Sequence, residues 1–167
     1  MIRSIVLAIS LLACHPGGSY ATDDHLAGGQ RDRGETNGRT FDFVSNKPEG
    51  DDWTIRVRGS SMWASYAEGD KTQSYPPANL SSKDTAKLWA RIDALDLANR
   101  KKGKKEYDDG FVTLVLREPP GEDGDEQHAM ISVNVSRTTK DEAVLDLADY
   151  LADLIQKYFK TKGKPEF

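Results

Sequence analysis

Trp53-Thr54-Ile55-Arg56-Val57-Arg58 alternates without a break. Trp53, Ile55 and Val57 share one face, and Thr54, Arg56 and Arg58 share the other. That is the pattern of a strand buried on one side only. Gly59-Ser60-Ser61 reads as a turn. Met62 to Ala67 reads as the returning strand, with Met62, Ala64 and Tyr66 set against Trp63 and Ser65. If this register holds, Trp63 faces away from Ile55 and Val57, on the side of Arg56 and Arg58. Upstream, Phe41-Asp42-Phe43-Val44 reads as an edge strand. Downstream, Glu68-Gly69-Asp70 turns the chain and Thr72 to Tyr75 forms a further short strand. Pro76-Pro77 stops it, because proline cannot donate to a ladder.

The pattern then changes period. Ser81 and Asp84 resemble a capping box with Asp in place of Glu or Gln. Leu88, Ile92 and Leu95 line one stripe beside Trp89, so a helix is expected over 82–97. Arg100-Lys101-Lys102-Gly103-Lys104-Lys105 ends it with cations that suit a helix C-terminus. Phe111 to Leu116 is apolar except for Thr113, as in a central strand buried on both faces. The loop from Pro119 to Glu126 leads to a partner strand, Met130 to Ser136. There Ile131, Val133 and Val135 point inward, and Ser132, Asn134 and Ser136 point outward. The last helix is capped by Thr139 with Glu142 three residues on. Val144, Leu147, Ala148, Leu151, Leu154, Ile155, Tyr158 and Phe159 form its stripe. Its length of about 20 residues spans about 30 Å.

The expected fold is therefore α+β, ordered β-β-α-β-β-α. An antiparallel sheet of about four strands carries two helices packed on one face. The element order is similar to that of small periplasmic inhibitor and binding modules built from ββα units, such as β-lactamase-inhibitory proteins. That likeness involves no shared motif and implies little about function.

The chain has 167 residues, 37% hydrophobic and 30% charged, with a formal charge of −4. This suits one domain with flexible extensions. No apolar run reaches the ~18 residues of a membrane-spanning helix. The acidity offers no general attraction to nucleic acid. The segment 1–21 reads as a targeting segment, with Arg3 at its start and an apolar run from Ile5 to Leu12. Leu11-Leu12-Ala13-Cys14 resembles the lipobox of bacterial lipoproteins. The resemblance implies that the chain is cut before Cys14 and that the Cys14 thiol carries a lipid anchoring the protein to a membrane. In Gram-negative lipoproteins an Asp after the lipidated cysteine marks inner-membrane retention. His15 stands there instead, which implies the outer membrane. Ser19-Tyr20-Ala21 is a competing cleavage site, which would leave a soluble secreted protein starting at Thr22.

Under either cut no cysteine remains for a disulfide, because Cys14 is lipidated or removed, so the mature fold stands without one. Residues 15–40 lack periodic apolar positions, and the part over 22–40 is expected to be a flexible tether. A coil of ~26 residues has an r.m.s. reach of roughly 28 Å, enough to clear a headgroup layer. The domain is expected over 41–160, and 161–167 is expected to fray.

Catalytic groups are sparse. His15 and His25 fall in the tether. His128 is the one histidine of the expected domain. Ser132 lies roughly 13 Å from it along an extended strand, too far for a base and nucleophile pair. The doublets Asp51-Asp52 and Asp108-Asp109 precede strands, where adjacent residues point to opposite faces and make no ready dyad. Glu122-Asp123-Gly124-Asp125-Glu126 lacks the loop spacing of an EF-hand and reads as a solvated loop. No zinc or phosphate-binding motif occurs, so neither a metal nor a cofactor is implied. Two features remain as a candidate interaction surface. One is Trp63 beside Arg56 and Arg58, a pairing common at hot spots and suited to glycan stacking. The other is the basic run of Arg100, Lys101, Lys102, Lys104 and Lys105, suited to anionic headgroups. The leading expectation is an exported, lipid-anchored periplasmic or cell-surface domain that binds an envelope protein or glycan without catalysis. The alternatives are a soluble secreted hydrolase using a carboxylate pair and a structural envelope spacer.

Overall fold

The computed structural model describes residues 38–48, 52–119 and 130–167. Within them the α+β class is realised as a two-layer fold. The strands are β1 (Thr40–Asn46), β2 (Asp52–Arg58), β3 (Ser61–Glu68), β4 (Lys71–Ser74), β5 (Ala78–Asn79), β6 (Phe111–Arg117) and β7 (Met130–Ser136). The helices are α1 (Ser82–Ala94) and α2 (Glu142–Phe159). The sheet runs β4-β3-β2-β1-β6-β7, with β5 also paired to β3, and every pairing is antiparallel. The sheet is thus wider than the expected four strands. The short β5 returns to the edge after the two prolines.

Strand β1 is not at the edge. It pairs with β2 on one side and β6 on the other. Phe41 and Phe43 are fully buried beneath it, and only a central position covers two such side chains from both flanks. Strand β6 also departs from expectation. Val112, Leu114 and Leu116 are buried, but Thr113 and Val115, on the other face, are only half-buried. The sheet has one covered face, and β6 obeys the same alternation as its neighbours.

The β2–β3 turn explains the clean register of that hairpin. Gly59 takes φ +56° at the first of two loop residues, and Arg58 pairs with Ser61. A glycine at that position suits the right-handed twist of the flanking strands. The Gly59 carbonyl also accepts a hydrogen bond from the buried Trp89 indole at 3.1 Å, which fastens α1 to the hairpin.

Both helices cover one face. Leu88, Trp89 and Ile92 of α1 join Leu147, Leu151, Leu154 and Ile155 of α2 in a single core with Phe41, Phe43, Ile55, Val57 and Leu114. Their caps differ in detail from expectation. Ser81 caps α1 as expected, its Oγ accepting from the Asp84 N–H. The Asp84 carboxylate does not reach back to the Ser81 N–H, which donates to the Tyr158 hydroxyl instead. On α2 the cap is Asp141, not Thr139, and its Oδ1 accepts from the N–H groups of Ala143 and Val144. Thr139 sits two residues earlier, accepting from the Asp141 N–H. A carboxylate at this place meets the helix dipole more strongly than a hydroxyl does.

The tail at 161–167 packs rather than frays. The Phe167 ring lies 4.9 Å from Phe43 and 6.3 Å from Trp53, both edge-on. Tyr75 stacks on Trp53 at 6.0 Å. Lys164 reaches Asp153 at 2.9 Å. These rings extend the core past the end of α2.

Candidate functional site

Strand alternation sends one half of each strand to the side of the sheet that neither described helix covers. Cross-strand register then sets the neighbours. Trp63 lies opposite Arg56, Arg56 opposite Asp42, and Asp42 opposite Val115. The next row runs Ser61, Arg58, Thr40 and Arg117. Three guanidinium groups and one indole therefore gather on the open face around Asp42.

Asp42 organises the group. Its side chain is only 7% exposed. Oδ1 accepts from Arg56 Nε at 2.7 Å, and Oδ2 accepts from Arg56 Nη2 at 3.2 Å and Arg117 Nη1 at 2.6 Å. Burial pushes the carboxyl pKa up, but the hydrogen bonds and charges of Arg56 and Arg117 outweigh it, and the group is held below its ordinary value. The same contact raises Arg56. Asp42 and Arg56 are thus both charged at neutral pH. The arginines are not consumed by it. Their side chains remain 58% and 38% exposed, and a guanidinium carries five N–H donors.

These residues border an open concavity of about 760 Å³, within the range of ligand sites. Arg56, Arg58 and Arg117 supply its cations, Trp63 its exposed ring, and Thr54 and Ser65 hydroxyls. Among the described residues, Asp42 beneath accepts from two of these three guanidinium groups.

Arg56, Arg58 and Trp63 are brought together as the alternation implied. Trp63 is 37% exposed, among the few large apolar side chains exposed in the described residues. The basic run goes elsewhere. Arg100 donates from Nε to the Leu95 carbonyl at 2.6 Å and from Nη1 and Nη2 to the Asp141 carboxylate at 2.5 and 3.2 Å. It links the end of α1 to the cap of α2. Lys101, Lys102, Lys104 and Lys105 are exposed, on a segment whose Gly103 carbonyl accepts from the Asn134 amide on β7. A Cβ on Gly103 would sit 2.0 Å from the Asn134 carbonyl oxygen, so the close approach requires glycine. Strands β1 and β6 lie between β2 and β7, so about 14 Å separates this edge from Arg56.

The acidic doublets do other work. Asp52 accepts from the Lys47 N–H at 2.8 Å, and Asp108 and Asp109 are exposed in a turn. Cys14, His15, His25, Asp51, His128 and the acidic loop from Glu122 to Glu126 lie outside the described residues, as do both cleavage sites and the tether over 22–37. Among the described residues no group of three His, Cys, Asp or Glu side chains is placed to hold a metal, and no helix is long and apolar enough to cross a membrane.

Two organising groups escaped the sequence reading. Asp42 stands between two phenylalanines, which marks it as facing away from the core, but its partners are 14 and 75 residues distant. Arg117 closes an apolar strand and carries no local signal at all. Comparison of the chain with protein-family models and with curated proteins gives no match.

Proposed function

We propose that this protein is an exported, lipid-anchored binding domain without catalytic activity, and that the open face of its sheet is the recognition surface. The supporting observation is the exposed Trp63 beside Arg56, whose guanidinium is held by a buried carboxylate at the edge of a concavity. Fixing a cation and a ring on neighbouring strands lowers the ordering cost of binding. The anchor at Cys14 would hold this face near the envelope, on the outer membrane or in the periplasm.

Two measurements test the reading. Intact mass of the protein from its native host should show a diacylated N-terminal Cys14, and Cys14→Ala should move the chain from the detergent to the aqueous phase. A mature N-terminus at Thr22 would exclude the anchor. Immobilised protein should retain envelope material that Trp63→Ala and Arg56→Ala lose, with near-ultraviolet circular dichroism showing that both variants stay folded. Undiminished capture by both would exclude the open face as the binding surface.

A further inference from the structure

We infer that the segment joining α1 to β6 is a membrane-facing surface. Lys101, Lys102, Lys104 and Lys105 meet the anionic phospholipid headgroups of a bilayer, and Tyr107 enters the interface beside them. An anchor at Cys14 would tether the chain without orienting it; this segment sets which side of the domain faces the membrane, and it uses no residue of the open face.

Four exposed lysines fall within five residues here, and among the described residues none of them is ion-paired to a carboxylate. Other exposed lysines, such as Lys71, Lys83, Lys87 and Lys162, are scattered over β4, α1 and the tail. Arg100, at the head of the segment, is taken by Asp141 and adds nothing to the surface charge. The backbone that carries the lysines is held. Arg100 ties one end to Leu95 and Asp141, Gly103 lies against Asn134 of β7, and the Tyr107 ring packs edge-on at 5.3 Å from Phe111. Lys105 Nζ stands 5.8 Å from the centre of the same Phe111 ring. Little backbone freedom is left to lose on docking.

Three exposed acids, Glu106, Asp108 and Asp109, follow in the segment. Lysine stems carry their charge farther from the backbone than short aspartate side chains do, so a flat anionic surface meets the cations first. Screening over about 8 Å at physiological salt makes this local encounter decide the approach, although the whole chain carries −4. A bilayer fits better than a folded protein, because lysine is depleted at protein interfaces and favourable near anionic headgroups. Tyr107 is 68% exposed, and a ring with one apolar and one wet end suits the headgroup boundary. Position matters as well. Gly103 marks the β7 edge, and Trp63 on β3 stands four strands across, about 19 Å away. Docking by that edge leaves the open face uncovered.

The full chain carrying Cys14→Ser, which keeps it free of lipid, is sedimented with vesicles of phosphatidylcholine alone or mixed with phosphatidylglycerol. Any partitioning by the apolar run from Ile5 to Leu12 is common to both lipids and to every variant, so the gain on adding phosphatidylglycerol reads the charged contact. That gain should fall as salt rises. Lys101→Gln, Lys102→Gln, Lys104→Gln and Lys105→Gln combined should lower the partition coefficient on mixed vesicles by about tenfold or more. Lys71→Gln, Lys83→Gln, Lys87→Gln and Lys162→Gln combined remove the same charge and should lower it by less than about threefold. All eight lysines are exposed, so both sets should stay folded, which near-ultraviolet circular dichroism checks. Equal losses in the two sets would overturn the segment in favour of net charge. No gain from phosphatidylglycerol, or no loss in the first set, would overturn it outright. In Tyr107→Trp, acyl chains brominated near the headgroup should quench the added indole, while acrylamide should quench the exposed Trp63 of the parent as in the free protein. An unquenched indole, or a Trp63 shielded by bound vesicles, would overturn the orientation. Tighter binding to inorganic polyphosphate than to vesicles of equal phosphate content would overturn the bilayer in favour of a soluble polyanion. Because Cys14 is replaced throughout, failure here sinks the lysine surface alone and leaves the anchor and the open face to their own tests.

Discussion

Asp42 and Asp84 are both shielded carboxylates held below their ordinary pKa, yet they sit in opposite halves of the molecule and do different things. Asp42 lies on the open side of the sheet between two arginines that still face solvent. Asp84 lies on α1, where Lys157 at 2.6 Å, Tyr158 at 2.6 Å and Tyr150 at 3.2 Å converge on it from α2. Burial pushes Asp84 up, but the hydrogen bonds from Lys157, Tyr158 and Ser81 prevail and hold it well below the usual carboxylate range. Tyr150 responds in the opposite sense, pushed up to about 12 by burial and by the Asp84 charge. The helix network closes on itself, since its donors end on one acid and Arg91 caps the Tyr150 ring at 4.2 Å. The sheet network, among the described residues, leaves Arg56 and Arg117 partly facing solvent. The first is a bolt between helices, and the second sits on the solvent side of the sheet.

The contrast is broken or sharpened by a graded set of substitutions. The largest effect should come from the covered face, where Phe43→Ala removes a fully buried ring beside Asp42 in sequence. A loss of about 3–5 kcal/mol in urea unfolding is expected. Asp42→Ala should cost about 2–3 kcal/mol, because it leaves two arginines adjacent with no counter-charge. A cost below that of Asp84→Asn would reverse the ranking of the two networks.

Asp84→Asn should cost about 1–2 kcal/mol and should also change the acid limb of stability. The folded pKa of Asp84 lies below the unfolded value of about 3.9. Its contribution is therefore complete above that value and is lost as pH falls through the folded pKa. Unfolding titrations below about pH 4 should show a shallower decline in Asp84→Asn than in the parent.

Tyr150→Phe should act at the other end of the scale. A tyrosine raised to about 12 contributes stability below its unfolded pKa of about 10 and loses it as pH climbs through the folded value. The variant should lose less stability on alkaline titration, and ultraviolet titration of the parent should show one tyrosinate forming late. The smallest stability effect belongs to Trp63→Ala, within about 0.5 kcal/mol, since the ring is exposed. A large loss there would mean that Trp63 supports the fold and would weaken the case for a recognition surface.

Much of the fold was legible because strand and helix periods are local. Trp53 to Arg58 and Met130 to Ser136 read as half-covered strands and are so. The stripe from Val144 to Phe159 read as a helix and is one. The reading failed where a residue's role depends on who stands beside it. Phe41 to Val44 looks like an edge strand in isolation and is central. Arg100 looks like part of a basic patch and is tied to Asp141. Thr139 and Glu142 form a capping box on paper, but Asp141 offers a charged acceptor one residue before the helix and takes the cap. Phe167 has no periodic neighbour to mark it as a core residue.

For the candidate site, the alternation alone placed Trp63, Arg56 and Arg58 on one face, because side chains along a strand must alternate. It also kept Asp42 from the core, between Phe41 and Phe43. The order of strands in the sheet is not written in any local period. It follows from which arrangement buries Phe41, Phe43 and Leu114 together under two helices. That arrangement seats β1 between β2 and β6, and so brings Arg56 and Arg117, far apart along the chain, onto the same carboxylate. Backbone geometry sets the face of each side chain, while burial of the whole core sets its neighbours.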